Sequence, residues 1–357
     1  MADLMTDLMT DSIQPISTAA PPLLSVQNLQ MLFPIRKGFF NKVVGYVRAV
    51  DGVSFDIQPG ETLGLVGESG CGKTTAGRCI LRAYQPTSGK ILYRQEDGSV
   101  VDLAPLSSNE MKTYRQKIRM IFQDPYSSLN PRMTVLQIVS EPLVINKLAS
   151  GREIEDKVAT LLRKVGLRPE YMRRYPHAFS GGERQRLGIA RALILDPQLV
   201  VADEAVSALD VSVRAQILNL LQDLQEEMQL TYLFVSHDLG VIEYLCDRVA
   251  VMYVGKLVEL ATTEDLFSNP QHPYTEALLS AVPKADPRQS RRKQRIVLEG
   301  DVADPSHPPS GCYFHPRCMY AKDRCRSEAP ALRNVGGGHL AACHFAGELD
   351  LRGSPVA

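Results

Sequence analysis

The pattern of apolar positions becomes regular at Leu24. In Leu24-Ser-Val-Gln-Asn-Leu29, and again from Val47 to Ile57 (Val-Arg-Ala-Val-Asp-Gly-Val-Ser-Phe-Asp-Ile), apolar residues recur at near-alternate positions before the turn Pro59-Gly60. Alternation buries one face of a strand and wets the other, so short antiparallel strands are predicted. Ahead of them, residues 1–22 hold a tandem Asp-Leu-Met-Thr (3–6 and 7–10) and then Ser, Thr, Ala and Pro, which reads as a flexible tail with Met5 or Met9 as alternative starts. After Gly60 the pattern changes to unbroken apolar runs, Thr62–Val66, Gln198–Ala202 and Thr231–Val235, with helices predicted after Lys73, Glu183 and Val213. Strands buried on both faces and alternating with helices specify an α/β core around a parallel sheet. A more helical stretch at about 132–178, including the amphipathic segment Ile154–Val165, reads as an insertion within this core. From Thr262 the chain turns to short helices and loops, then to a basic segment, Lys284–Arg295, with six Lys/Arg and one Asp, and then to a Cys/His/Pro-rich tail. The basic segment reads as a solvated linker.

Composition narrows the class. The 357 residues carry 40 Lys+Arg against 40 Asp+Glu, are 44% hydrophobic and contain no Trp, an ordinary globular mixture long enough for about two domains. Zero net charge argues against a dedicated nucleic-acid binder. No apolar run reaches the roughly 18 residues of a membrane span, and the acidic start carries no secretory pattern, so a cytoplasmic location is expected. Seven Cys suit thiols or metal ligands better than a disulfide framework, and four of them lie between 312 and 343.

Two motifs carry phosphate chemistry. Gly67-Glu68-Ser69-Gly70-Cys71-Gly72-Lys73-Thr74-Thr75 follows a buried strand and opens a helical period, the context of a P-loop. Glycines let the backbone wrap an anion so that successive N–H groups and a helix N-terminus face it, Lys73 would reach the β/γ-phosphates and Thr74 would hold Mg²⁺. Cys71 within the loop reads as a small tolerated residue, with a redox-sensitive thiol as the sharper alternative. Leu199-Val-Val-Ala-Asp203-Glu204 is an apolar strand ending in two carboxylates. Asp203 would orient Mg²⁺ beside the P-loop and Glu204 would polarise an attacking water; taken alone, a strand followed by an acidic turn explains this motif equally well.

At Phe179-Ser180-Gly181-Gly182-Glu183-Arg184-Gln185-Arg186 the chain resembles the signature of ATP-binding cassette (ABC) ATPases. The family's remaining elements stand in its order: Gln123 after the strand 117–122, Ser207-Ala-Leu-Asp210, and His237 after the strand ending at Ser236. The resemblance implies a P-loop NTPase cassette with a RecA-like parallel core, an antiparallel β lobe and a helical subdomain. It also implies head-to-tail pairing of two cassettes, in which Ser180, Gly181 and Gly182 bind the γ-phosphate of ATP on the partner's P-loop. His237 would contact the γ-phosphate, Gln123 would link Mg²⁺ and the attacking water to the insertion, and Asp210 would communicate across the dimer. Phe33, Phe40 and Tyr46 compete to stack on adenine, with 34–45 read as an insertion. The chain departs from the family pattern at Phe179 and Glu183, and at Ala205-Val206 after the second carboxylate, without losing a phosphate or metal ligand.

More specific segments, Arg174–Glu183, Gln123–Pro131 and Asn269–Leu279, resemble the ATPase subunits of bacterial dipeptide/oligopeptide importers. The chain is then expected to comprise a tail (1–22), an ABC ATPase domain (23–262, helical subdomain about 124–180) and a C-terminal extension (263–357). The implied partners are a second cassette, two membrane permeases and, indirectly, an extracytoplasmic binding protein, with the chain peripheral at the cytoplasmic face of the inner membrane; peptide is the expected cargo, with nickel, glutathione or opines as alternatives. A soluble ABC ATPase acting on DNA or ribosomes is the competing class. The spacing Cys312-x5-Cys318-x6-Cys325-x17-Cys343 is too loose for common zinc ribbons. The resemblance implies a four-iron, four-sulfur cluster on these thiolates, with zinc or free structural thiols as alternatives, and leaves His315, His339 and His344 as bystanders.

Overall fold

The structure, a computed structural model, describes residues 21–124, 128–282 and 296–353. Most of the expected tail, the basic segment and residues 125–127 lie outside these.

Strands β1 (Leu24–Lys37) and β2 (Lys42–Ile57) pair antiparallel and, after β3 (Thr62–Val66) and helix α1 (Lys73–Ile80), are joined by β4 (Ser88–Arg94) and β5 (Val100–Asp102) in a four-stranded sheet ordered β2-β1-β4-β5. The segment 34–45, expected as an insertion, is the far end of this hairpin. Pro34 pairs with Tyr46 and Lys37 with Lys42, because Ile35, Val43, Val44 and Tyr46 are strand formers that extend the ladder to the turn.

After α2 (Met111–Lys117) and β6 (Ile118–Ile121) comes the helical region of α3 (Val135–Ile145), α4 (Arg152–Lys164) and α5 (Gly181–Leu193). Gly181 opens α5 two residues ahead of the expected start, because Ser180 and Glu183 form a reciprocal capping box there. Then follow β7 (Leu199–Asp203), α6 (Val211–Met228), β8 (Thr231–Val235), α7 (Leu239–Leu245), β9 (Arg248–Tyr253) and β10 (Lys256–Thr262). The main sheet runs β9-β3-β8-β7-β6 in parallel, and β10 adds antiparallel to β9.

The apolar runs are explained by two cores, one on each face of this sheet. Leu199, Val201, Leu233, Val235, Ala250 and Met252 face the core beneath β1, β2 and α1, while Val200, Ala202, Tyr232, Phe234, Val249 and Val251 face the helical side. Period-two geometry sends neighbours to opposite faces, so a strand covered on both sides must be apolar throughout.

Beyond Thr262 lie α8 (Thr263–Ser268), α9 (Pro273–Ser280), α10 (Asp323–Ser327), β11 (Arg333–Asn334) and β12 (Leu340–Ala341). Strand β12 pairs with β10, so the C-terminal segment extends the main sheet. A buried pair fastens it. Glu259 of β10, fully buried, accepts from His339 Nε2 at 2.7 Å and from the backbone N–H groups of Gln271 and His272. His339 is therefore an anchor, where the sequence suggested a bystander.

Candidate active site

Four parallel strands end on one edge, and each delivers a motif residue. The P-loop leaves β3, Asp203 and Glu204 close β7, His237 follows β8 and Gln123 follows β6. The register Leu65–Val235–Asp203 brings the first three strand ends abreast, and Ile121–Ala202 aligns the fourth. A crevice at the carboxyl ends of parallel strands is where ligands of such sheets bind.

The loop Gly67–Gly72 is shaped by glycines that nothing larger replaces. A Cβ on Gly72 (φ 106°) would meet the Ala49 carbonyl oxygen at 2.0 Å, and one on Gly67 (φ 148°) the Met252 carbonyl oxygen at 2.2 Å. Ser69 and Gly70 are exposed at the crest, and Thr74 and Thr75 lie in the first turn of α1. Lys73 is buried and donates to the carbonyl oxygens of Gly67 (2.7 Å) and Glu68 (3.0 Å), which holds its ammonium curled over the loop. Cys71 is 2% exposed, and burial pushes its thiol up from the ordinary range despite the Lys73 ammonium, which favours the packing reading over a reactive thiolate.

Thr74 Oγ1 donates to Asp203 Oδ1 at 2.8 Å, so a hydroxyl and a carboxylate of two motifs share one position. Burial raises the Asp203 carboxyl, opposed by the Thr74 bond and by Arg78. A hard-oxygen pair beside a phosphate loop fits Mg²⁺, which takes one or two protein oxygens and fills its shell with water and phosphate. Glu204 stands one residue further out. Its Oε2 accepts from Gln123 Nε2 at 2.7 Å and its Oε1 meets His237 Nδ1 at 3.1 Å, so three motifs converge on one carboxylate.

Ser180, Gly181 and Gly182 form the N-terminus of α5, with Ser180 exposed; its Oγ donates to Glu183 Oε2 and its backbone N–H reaches the same oxygen, both at 2.9 Å. Asp210 is exposed at the start of α6. The departures from the family pattern are packing choices. Phe179 is buried edge-on against Tyr171 at 5.6 Å, and Ala205 and Val206 are buried. Of the aromatic candidates, Phe33 packs edge-on against Tyr84 and Tyr46 is half-exposed on β2. Phe40 is almost fully exposed at the hairpin turn, ahead of the start of β2.

The iron–sulfur expectation does not survive. Cys312, Cys318, Cys325 and Cys343 line one narrow cavity. All four are free thiols, and among the described residues no group of three or more His, Cys, Asp or Glu could hold a metal ion. Zinc on these thiols gains no support either. Burial pushes Cys312 up to about 11 and Cys318 up to about 12, so these side chains pack as neutral thiols against Phe314, Pro330 and Phe345.

Comparison with known proteins agrees with this geometry. The family model described as "ABC transporter" matches residues 50–207, and that described as "Oligopeptide/dipeptide transporter, C-terminal region" matches 258–325. The oligopeptide transport ATP-binding protein AppF of Bacillus subtilis (strain 168) is 51% identical over 90% of this chain and 97% of its own length. The dipeptide transport ATP-binding protein DppF of Haemophilus influenzae is 51% identical over 90% and 96%. Among solved structures, the ATP-binding cassette MJ0796, dimeric in a post-hydrolysis state with ADP and Pi, is similar with a TM-score of 0.58 and 27% identity over 67% of this chain and 98% of that one. CbiO1 of Clostridium perfringens, part of the CbiONQ transporter complex, gives 0.58 and 26% over 69% and 90%. The sheet and its converging motifs thus define an ABC-type cassette, and the protein is an ATPase. More narrowly, the chain belongs to the family of ABC transporter ATP-binding subunits of the oligopeptide/dipeptide type.

Proposed function

We propose that this chain hydrolyses ATP to energise uptake of di- or oligopeptides through partner permeases. The observation that carries the reading is the convergence of Gln123, Glu204 and His237 beside an intact P-loop, in a chain half-identical along nine-tenths of its length to AppF and DppF. Residues 23–262 are assigned the ATPase role, with the helical subdomain at about 124–180, and 263–357 the extension.

Within the site, the N–H groups of Gly70–Thr75 and the Lys73 ammonium take the phosphates. Thr74 and Asp203, with Gln123, would hold Mg²⁺, which would supply charge neutralisation of the phosphates. Glu204 accepts the proton of the attacking water and is oriented by Gln123 and His237, and His237 contacts the γ-phosphate once nucleotide is bound. Ser180, Gly181, Gly182 and Asp210 serve the partner's nucleotide across a dimer; the exposure of Ser180 and Asp210 supports this.

Permease docking is assigned to an open cleft of about 710 Å³ between β6 and the helical region, lined by Met120, Phe122, Ile145, Arg115 and Arg119. Phe122 and Ile145 are 46% and 70% exposed, and Phe122 directly precedes Gln123, so a membrane subunit seated there is one peptide bond from the catalytic group. Among the described residues no helix is long and apolar enough to cross a membrane, and the inner-membrane attachment is assigned to these partners.

Deleting the gene should abolish uptake of labelled di- or oligopeptides, restored by the wild-type chain and not by Lys73→Ala. Unchanged peptide uptake together with loss of nickel or glutathione uptake would overturn the cargo assignment.

A further inference from the structure

The first turn of the phosphate loop is held from outside the cassette. Glu68 is gripped at all three of its polar groups. Its backbone N–H donates to Tyr274 Oη at 2.8 Å, its carbonyl accepts from Lys73, and its carboxylate takes a two-pronged pair from Arg317, Nη1 to Oε2 at 2.7 Å and Nη2 to Oε1 at 3.1 Å. Lys73, which opens α1, belongs to the cassette. Tyr274 lies in α9, and Arg317 ends the 3-10 turn His315–Arg317, both in the C-terminal segment.

This is not a swinging surface pair. The Arg317 side chain is 7% exposed and that of Glu68 28%. The guanidinium lies over the Tyr253 ring, and Tyr253, Tyr274 and Phe314 pack on one another with centroids 4.8 to 5.4 Å apart. A forked bond from a side chain fixed at both ends is stronger and more directional than an exposed ion pair. A phosphate loop binds through ordered N–H groups, and whatever ordering is not built in beforehand is subtracted from affinity.

We propose that Arg317 and Tyr274 are positioning residues for nucleotide: through Glu68 the C-terminal segment presets the phosphate loop, so that ATP affinity is fixed partly outside the cassette. Neither residue contacts Gln123, Glu204 or His237, so their loss raises KM and spares kcat, the mark of binding that is uniform between ground and transition states.

The test uses the full chain, with displacement of a fluorescent ATP analogue and steady-state phosphate release; ATP binding by the wild-type chain checks the reading on which the proposal rests. Arg317→Gln should weaken ATP binding about tenfold with kcat within about twofold, and Arg317→Lys, which keeps charge and loses the fork, should recover part of it. Glu68→Gln should weaken binding similarly, and the double variant should be no worse than either single one. The near-isosteric change at the partly exposed Glu68 keeps the question open to measurement even where Arg317→Gln fails to fold. Unchanged affinity in Glu68→Gln, losses that multiply in the double variant, or a fall in kcat matching the rise in KM would each overturn the proposal.

Discussion

Glu204 sits at φ 47°, in the left-handed region that a residue with a Cβ adopts only at a cost of about 1–3 kcal/mol. The conformation is held by its backbone N–H, which donates to the Val235 carbonyl at 2.9 Å, and by the two side chains that flank its carboxylate. This turn lifts the carboxylate off the strand end toward Gln123 and His237 instead of letting it follow Asp203 into the sheet edge. Glu204→Gln preserves the shape and removes the proton acceptor. Phosphate release should fall by about 10²–10⁴-fold while ATP binding is retained; normal hydrolysis in that variant would take Glu204 out of the role.

At the scale of an element, α9 begins on a histidine that cannot carry charge. His272 is fully buried, its Nδ1 accepts from the Tyr274 N–H at 3.1 Å, and burial pushes its pKa down to about 3. Its folded pKa lies below the unfolded value of about 6.5, so the unfolded chain takes the proton first. Stability from this group is complete above pH 6.5 and declines as pH falls toward 3, by up to about 1.4 kcal/mol per pH unit. His272→Asn keeps a capping side chain without the titration. Denaturant unfolding from pH 7 to 4 should show a shallower decline in the variant than in the wild type, and equal slopes would refute a neutral buried imidazole.

Elements also show what the sequence could and could not disclose. The buried strands and the P-loop were legible because local pattern and local chemistry coincide: an apolar run, then glycines, then Lys73. The hairpin end at 34–45 is hard to read locally because Pro34 and Gly38 look like interruptions, whereas the ladder tolerates both near its turn. The grips of His339 on Glu259 and Arg317 on Glu68 join residues 80 and 249 positions apart, and nothing local announces them. The family resemblance implies a cluster on the four tail Cys, yet among the described residues no group of three or more His, Cys, Asp or Glu could hold a metal ion; four Cys in a short span do not by themselves make a metal site.

For the whole molecule, the role proposed for the N-terminus of α5 in a partner's nucleotide site makes pairing measurable. Glu204→Gln should therefore double in mass with ATP and remain a monomer with ADP, as light scattering would record; an ATP-independent mass would contradict head-to-tail pairing. The cassette and the C-terminal segment are also mechanically one body, because β12 continues the sheet that carries the catalytic strand ends.

That shared sheet bears on how the chain can be cut. A truncation at 262, where the sequence invites a domain boundary, would strip β12 from β10 and leave Glu259 buried beside an empty place for His339. It would also bare a row of unpaired amides and carbonyls along an apolar strand, a surface prone to pair with other copies. A shortened chain would then precipitate or associate for reasons unrelated to ATP, and its lost activity would say nothing of what the removed segment does.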